Sequence, residues 1–236
     1  MSDAMAPVDF SIVLPSYREE ENLRLLLPRI QAAIKDADGS NEIVIVDTVA
    51  PLDKTELICS QSGVRYVRRG PTNSFGDAVR TGIREARGRW IVFMDADGSH
   101  GPEWIPRLLA ERQAAEVVIA SRYVDGGSTE NPLMLRAMSR ALNVTYSLIL
   151  GLNVQDVSNS FKLYRAELLK ELSLTCQNFD IIEEILFKIR RRHPQAVMKE
   201  IPFPFKARLF GHTKRNLFLF MVTYLCTILR LRFFAR

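Results

Sequence analysis

Trp90-Ile-Val-Phe-Met-Asp95-Ala-Asp97-Gly-Ser-His100 is an apolar run closed by two carboxylates one residue apart. A short continuous apolar run with polar residues at its end reads as a strand buried on both faces, which is the parallel-sheet pattern. Working outward, similar runs occur upstream at Phe10-Ser-Ile-Val-Leu14, Glu42-Ile-Val-Ile-Val-Asp47 and Val64–Arg68, and downstream at Val117–Ala120. Helical spacing fills the intervals at Glu20–Lys35, interrupted by Pro28, at Asp77–Arg87 and at Pro102–Gln113. Strands alternating with helices imply right-handed βαβ units and a mostly parallel α/β sheet flanked by helices. Beyond Gly126 the pattern changes. A loop at Gly126-Gly127-Ser128 precedes a long helix at Pro132–Leu150 and a short strand at Phe161–Tyr164. A helix at Asp180–Arg192, an extended segment at Val197–Phe205 and a helical Leu217–Phe234 complete the chain.

The 236 residues, 47% hydrophobic and 25% charged, suffice for one α/β domain and exclude disorder, collagen and coiled coil. Cys59, Cys176 and Cys226 form no CxxC or Cys/His cluster, so a disulfide framework or thiolate metal site is not expected. Together with a start, Met1–Asp9, that lacks a basic and then apolar signal, this points to a cytoplasmic protein. The net charge of +5 is unevenly spread: from Leu186 onward twelve Lys or Arg face Glu200 alone, so the preceding part is net acidic. A basic end suits phosphate, in a headgroup or in nucleic acid.

Ligands of open α/β sheets bind beyond the carboxyl ends of the strands, which directs attention to Pro15–Asn22, Asp47 and Asp95–His100. Alternate residues of an extended segment share a side, so Asp95 and Asp97 can hold one hard cation, Mg²⁺ or Mn²⁺, with positions left open for a diphosphate. A solvated loop is the bland alternative for so short a motif. The chain contains neither G-x-x-x-x-G-K-[ST] nor G-x-G-x-x-G, which disfavours P-loop and dinucleotide sites.

The ordered set Leu-Pro-Ser-Tyr-Arg-Glu-Glu-Glu-Asn (14 to 22), Ile-Val-Asp47, Asp-Ala-Asp-Gly-Ser-His (95 to 100), Ser-Arg-Tyr (121 to 123), Asn-Ser-Phe-Lys-Leu-Tyr-Arg (159 to 165) and Arg208-Leu-Phe-Gly-His-Thr-Lys214 resembles family 2 glycosyltransferases. Within that family it is most similar to dolichol-phosphate and polyprenol-phosphate mannose synthases. The likeness implies a GT-A, Rossmann-like fold over residues 1–215; the residues of 216–236 themselves read as a C-terminal amphipathic helix. The likeness also implies a nucleotide-sugar donor (a GDP- or UDP-hexose, mannose or glucose), a divalent cation, inversion at the anomeric carbon and a polyprenyl phosphate acceptor.

Carried over by position, the resemblance assigns Pro15, Tyr17, Glu19 and Asp47 to the nucleotide pocket, with Gly76, Asp95 and Ala96 also on the donor. Asp95 and Asp97 fall at the cation, and Glu184 stands where the family has a glutamate near it. Arg122, Arg140, Ser160, Arg208 and Lys214 fall around the acceptor phosphate and the donor diphosphate, where arginine forks and a lysine point charge suit phosphate oxygens. Arg122 is expected to act with the two aspartates in catalysis. The chain departs from the family at Asp47-Thr-Val-Ala-Pro51, where D-D-G-S is usual, and at Ile182, which stands in a glutamine place.

A phosphate monoester is already ionised near neutral pH and needs no general base, so in-line displacement governed by charge stabilisation is expected. Transfer to another membrane-associated acceptor, such as a glycolipid hydroxyl, would need a base, for which Glu183 or Glu184 are the candidates. A non-catalytic nucleotide-sugar-binding homologue is the third reading. The tail's uncharged stretch, 216–229, is shorter than the roughly twenty residues that span hydrocarbon. It is expected to lie on the inner face of the cytoplasmic membrane, or else to pack in the core or in a homo-oligomer interface. No transmembrane helix is expected after Arg236. A nucleic-acid partner is not expected, because the aromatics of the tail sit in a continuous apolar run.

Overall fold

The computed structural model describes residues 8–210 and 227–233. In chain order the strands are β1 (Val8–Pro15), β2 (Asn41–Asp47), β3 (Arg65–Arg68), β4 (Gly88–Phe93), β5 (Val117–Ser121), β6 (Ser128–Thr129), β7 (Lys162–Arg165), β8 (Met198–Pro202) and β9 (Pro204–Phe205). Seven of them form one sheet in the order β3-β2-β1-β4-β7-β5-β8. All pairings in it are parallel except those of β7, which runs antiparallel to both β4 and β5. β6 and β9 pair as a separate short ribbon, where the sequence reading has only a loop before the long helix.

Side-chain alternation along β1 divides the core between the two faces. Phe10, Ile12 and Leu14 face helices α1 (Glu20–Ile34) and α4 (Ile105–Ala110), meeting Leu23, Leu26, Ile30 and Leu108. Val13 faces the other way, into a layer built by α3 (Phe75–Glu85), α6 (Ala166–Lys170) and α7 (Ile181–Arg192). α1 runs straight through Pro28, whose position on the exposed face lets water take the carbonyl that a peptide N–H would have bonded. The short α2 (Thr55–Gln61) and α6 carry too few periodic positions to stand out in the sequence.

α5 (Leu133–Leu150) differs from the other helices. It buries only Asn143, Tyr146 and Leu150, and leaves Leu133, Met134, Val144 and Leu148 exposed. Residues 227–233 are helical (α8), and Ile228 and Leu231 join the core layer beside α7. Thr227 Oγ1 donates to Asp180 Oδ2 at 2.6 Å, and Arg230 donates to Cys176 Sγ. This part of the expected tail helix therefore docks on the domain, while residues 216–226 lie outside the described residues. Among the described residues no helix is long and apolar enough to cross a membrane.

Candidate active site

The carboxyl ends of β1, β2 and β4 open into one cleft of roughly 750 Å³. Pro15, Tyr17, Arg18 and Glu19 line it after β1, Leu52 and Asp53 after β2, and Asp95, Ala96 and Asp97 after β4. Arg69, Asn73, Phe75, Phe179 and Arg208 complete the walls. Because β7 is antiparallel, the residues that precede it reach the same edge. Ser160 Oγ donates to Asp95 Oδ1 at 2.8 Å.

A buried scaffold orients the carboxylate pair. His100 is fully buried; its Nδ1 accepts from the Asp95 amide at 2.9 Å and its Nε2 lies 3.1 Å from Asn159 Oδ1. These partners require a neutral ring protonated on Nε2, in keeping with burial pushing its pKa down. The ring stacks on Phe161 with Phe203 edge-on. Asp97 Oδ1 accepts from the Ser99 hydroxyl at 2.6 Å and the Ser99 amide at 3.0 Å, and Oδ2 accepts from Arg208 at 2.7 Å. Burial works to raise the Asp97 pKa, but the Ser99 hydrogen bonds and Arg208 outweigh it and hold the carboxyl below its usual range. Gly98 takes φ 80°, and a Cβ there would meet the Leu209 side chain at 2.5 Å, so only glycine lets the 206–210 segment cross this loop.

Opposite, Arg18 is the one non-glycine residue with positive φ, 58°, among the described residues. That left-handed backbone costs a β-carbon-bearing residue about 1 kcal/mol. Glu19 accepts from Asn22, and burial, with help from Asp97 and Asp95, raises its pKa. Arg69 is buried and gives its guanidinium to the carbonyls of Ser16, Val46, Asp47, Asn73 and Ser74. It thereby ties together the ends of β1 and β2. Neither Arg18 nor Arg69 stands out in the sequence, since one sits within an acidic run and the other in an ordinary basic pair, Arg68-Arg69.

Asp47 is buried behind the cleft wall, where Tyr66 donates to its Oδ2 at 3.1 Å and its Oδ1 has no hydrogen-bond partner among the described residues. Burial raises its pKa. In place of a second acid, Thr48 turns inward to the Ala50 carbonyl. Gly76 does not line the cleft. It admits close packing of α3, because a Cβ would fall 2.2 Å from the Cys176 carbonyl oxygen. Its amide bonds Gln177, two residues before the cleft residue Phe179, which stacks on Phe75 with centroids 4.2 Å apart.

Three more of the expected site residues lie off the cleft. Arg122 does not line the cleft, because Asp156 holds its guanidinium through two hydrogen bonds of 2.8 and 2.7 Å. Arg140 stays exposed on α5, and the two guanidinium carbons flank Tyr123 at 5.1 and 5.9 Å from its centroid. Glu184 is fully buried, accepting from Thr175, the Cys176 amide and Lys188. Its carboxylate pins residues 175–176 and is not at the Asp95–Asp97 pair. Burial would raise its pKa, but Lys188 and the amides outweigh it. Lys214 lies outside the described residues.

Among the described residues, six carboxylates line the cleft (Glu19, Glu20, Glu21, Asp53, Asp95 and Asp97) against the guanidinium groups of Arg18, Arg69 and Arg208. Such a lining repels an anion unless a cation joins it. Asp95 and Asp97 offer hard oxygen donors, and Asp95 Oδ2 takes no hydrogen bond among the described residues, so the pair fits a divalent cation that keeps positions for phosphate oxygens. Among the described residues no cluster of three or more His, Cys, Asp or Glu is set to hold a metal.

A model of Glycosyl transferase family 2 matches residues 11–173. The chain is 34% identical over 212 residues to a dolichol-phosphate mannosyltransferase of Pyrococcus furiosus, covering 86% of this chain and 58% of that one. It thus spans little more than half the length of that relative. It is 30% identical over 215 residues to an undecaprenyl-phosphate mannosyltransferase of Micrococcus luteus, covering 86% of each. A polyprenol monophosphomannose synthase of Mycolicibacterium smegmatis is 31% identical over 217 residues, covering 87% of this chain and 80% of that one. Among solved structures, glucosyl-3-phosphoglycerate synthase of Mycobacterium tuberculosis, bound to Mn²⁺, UDP and glucosyl-3-phosphoglycerate, superposes with TM-score 0.73 at 20% identity. That match covers 98% of this chain and 82% of the other, and shows a shared GT-A-like fold.

Proposed function

The chain belongs to glycosyltransferase family 2, and from that premise we propose that it moves one hexose from a nucleotide sugar to a polyprenyl phosphate. The observation that carries the reading is the Asp95–Asp97 pair, fixed by His100, Ser160 and Ser99 in the floor of an acidic cleft next to Tyr17 and Glu19. The mannosyltransferase relatives favour mannose and a prenyl phosphate; the donor is a GDP- or UDP-hexose, with glucose the second candidate.

Asp95 and Asp97 would hold Mg²⁺ or Mn²⁺, which when bound supplies Lewis-acid neutralisation of the departing diphosphate. Arg208, already on Asp97, is placed to exchange that carboxylate for a diphosphate oxygen. Arg122 and Arg140 flank Tyr123 on the acceptor side: exposed Arg140 is the one offered to the acceptor phosphate, and Arg122 would reach it only by exchanging Asp156. An ionised phosphate attacks the anomeric carbon with no base, in line with the leaving diphosphate and with inversion. Glu183 and Glu184, the candidate bases for a hydroxyl acceptor, are both fully buried outside the cleft, which counts against that alternative.

The reading seats the protein peripherally at the cytoplasmic face of a membrane. α5 supports this: residues 131–155 contain Arg136 and Arg140 and no acid, and Leu133, Met134 and Leu148 are 80%, 67% and 76% exposed. An apolar, basic and acid-free helix face suits an anionic bilayer surface.

The test is transfer of label from a panel of GDP- and UDP-sugars to a short polyprenyl phosphate, with Mg²⁺ or Mn²⁺ and with chelator. A chelator-sensitive lipid product is expected. Product on a glycolipid hydroxyl alone would replace the acceptor. Metal-dependent nucleotide binding without any product would make the protein a non-catalytic homologue.

A further inference from the structure

The left-handed Arg18 occupies the turn between β1 and α1, with Tyr17 before it and Glu19, whose carbonyl accepts from the Leu23 amide, after it. Glycine or asparagine takes that backbone at less cost, so the turn alone does not call for a long cationic side chain. A strained residue at a ligand cleft is a pointer to function. The position is on the cleft wall, and the side chain is exposed.

The other two guanidiniums of the cleft are committed, Arg69 to backbone carbonyls and Arg208 to Asp97. Arg18 makes no hydrogen bond or ion pair among the described residues. Its guanidinium carbon lies 5.9 Å from the Tyr17 ring centroid, at the outer edge of cation–π range. Among the described residues it is therefore the cleft guanidinium that can meet an incoming anion without first giving up a partner. The acceptor-side arginines, Arg122 and Arg140, lie around Tyr123 outside this cleft, so the anion that meets Arg18 belongs to the donor.

We infer that Arg18 is a donor-binding residue that holds an anionic group of the nucleotide sugar: its diphosphate or, where the sugar carries one, a carboxylate. The inference rests on the reading of the cleft as a donor site.

Three variants separate charge from backbone: Arg18→Asn keeps a residue tolerant of the left-handed conformation, Arg18→Gly relieves it fully, and Arg18→Lys keeps the charge. Binding of GDP, UDP and UDP-glucuronate in the presence of Mn²⁺ is measured by calorimetry, with the uncharged nucleosides as reference and the thermal midpoint recorded for each variant. The expected result is a five- to twentyfold loss of nucleoside diphosphate affinity in Arg18→Asn and Arg18→Gly, with most of it restored in Arg18→Lys. Nucleoside binding should not move, and the midpoints of the Asn and Gly variants should equal or exceed the parent's. A loss confined to UDP-glucuronate would assign Arg18 to the sugar carboxylate. Unchanged affinity for all three charged ligands in Arg18→Asn, beside a parent that binds them, overturns the assignment alone. A parent that binds neither GDP nor UDP overturns the donor-site reading and this assignment with it.

Discussion

Arg208 Nη2 lies 2.7 Å from Asp97 Oδ2, and the next residue, Leu209, donates its amide to the Asp97 carbonyl at 3.0 Å. Side chain and backbone of one short segment thus hold the same residue that a divalent cation would need. Guanidinium and cation compete for one carboxylate oxygen.

The competition predicts opposite effects on binding and turnover. Arg208→Ala should tighten Mn²⁺ binding severalfold in the absence of donor, while lowering kcat at least tenfold once the diphosphate loses its fork. Asp97→Asn should abolish metal-dependent nucleotide binding and lower turnover about a hundredfold or more, with far-ultraviolet circular dichroism unchanged. Mn²⁺ titration by electron paramagnetic resonance reads both, and equal Mn²⁺ affinity in Arg208→Ala would remove the competition.

His100 is a scaffold and not a proton carrier, because both ring nitrogens are engaged in the neutral form. His100→Phe keeps the stacking volume against Phe161 but strands the Asp95 amide and leaves Asn159 Oδ1 only the long bond from the Phe161 amide. A stability loss of about 2–3 kcal/mol is expected, from one to two buried polar groups left unpaired. Urea unfolding measures it; a cost near zero would show that the ring acts by shape alone.

On α5, Leu148→Glu and Leu133→Glu place charge on residues that touch almost nothing. Each should shift the thermal midpoint by no more than a degree or two, since exposed substitutions usually stay within about ±0.5 kcal/mol. The double variant should lose most binding to vesicles containing anionic lipid in a co-sedimentation assay. Undiminished sedimentation would move the membrane seat elsewhere.

Lys162 is fully buried in β7, donating to the carbonyls of Val157 and Asn159, and burial lowers its pKa to about 8. The unfolded chain keeps the ordinary lysine value of about 10.4. Between these values the unfolded state binds more protons than the folded state, so this group makes the protein more stable as pH rises from about 8 to 10. The expected signature is a gain on the order of 2 kcal/mol in the parent, relative to Lys162→Met, between pH 7.5 and 9.5 by urea midpoint. Parallel pH profiles would show that Lys162 does not titrate there.

The long apolar strands, the four larger helices and the Asp95–Asp97 pair were legible because each rests on periodicity or on position at a strand end. β7 was legible as a strand but not in direction, since nothing local distinguishes an antiparallel insertion. Arg122 matched a motif, yet its partner Asp156 lies 34 residues on, and no spacing rule connects them. Glu184 misled because a carboxylate in the first turn of a helix looks alike whether it holds a metal or, as here, the amides of Thr175 and Cys176. Arg18 was hidden because backbone sign is not written in residue type.

The strand order has a consequence for biosynthesis. β4 and β5 never touch, because β7 lies between them. A nascent chain complete to Phe93 already holds β3, β2, β1 and β4, so that half of the sheet can form while the edge of β4 stays unpaired until Lys162–Arg165 emerges. Asp95 and Asp97 follow β4 directly, but Ser160 and Asn159, which fix Asp95 and His100, arrive with β7. The strand that seals the sheet is the strand that completes the site, and a chain released before it leaves the ribosome with an open edge and an unanchored carboxylate pair.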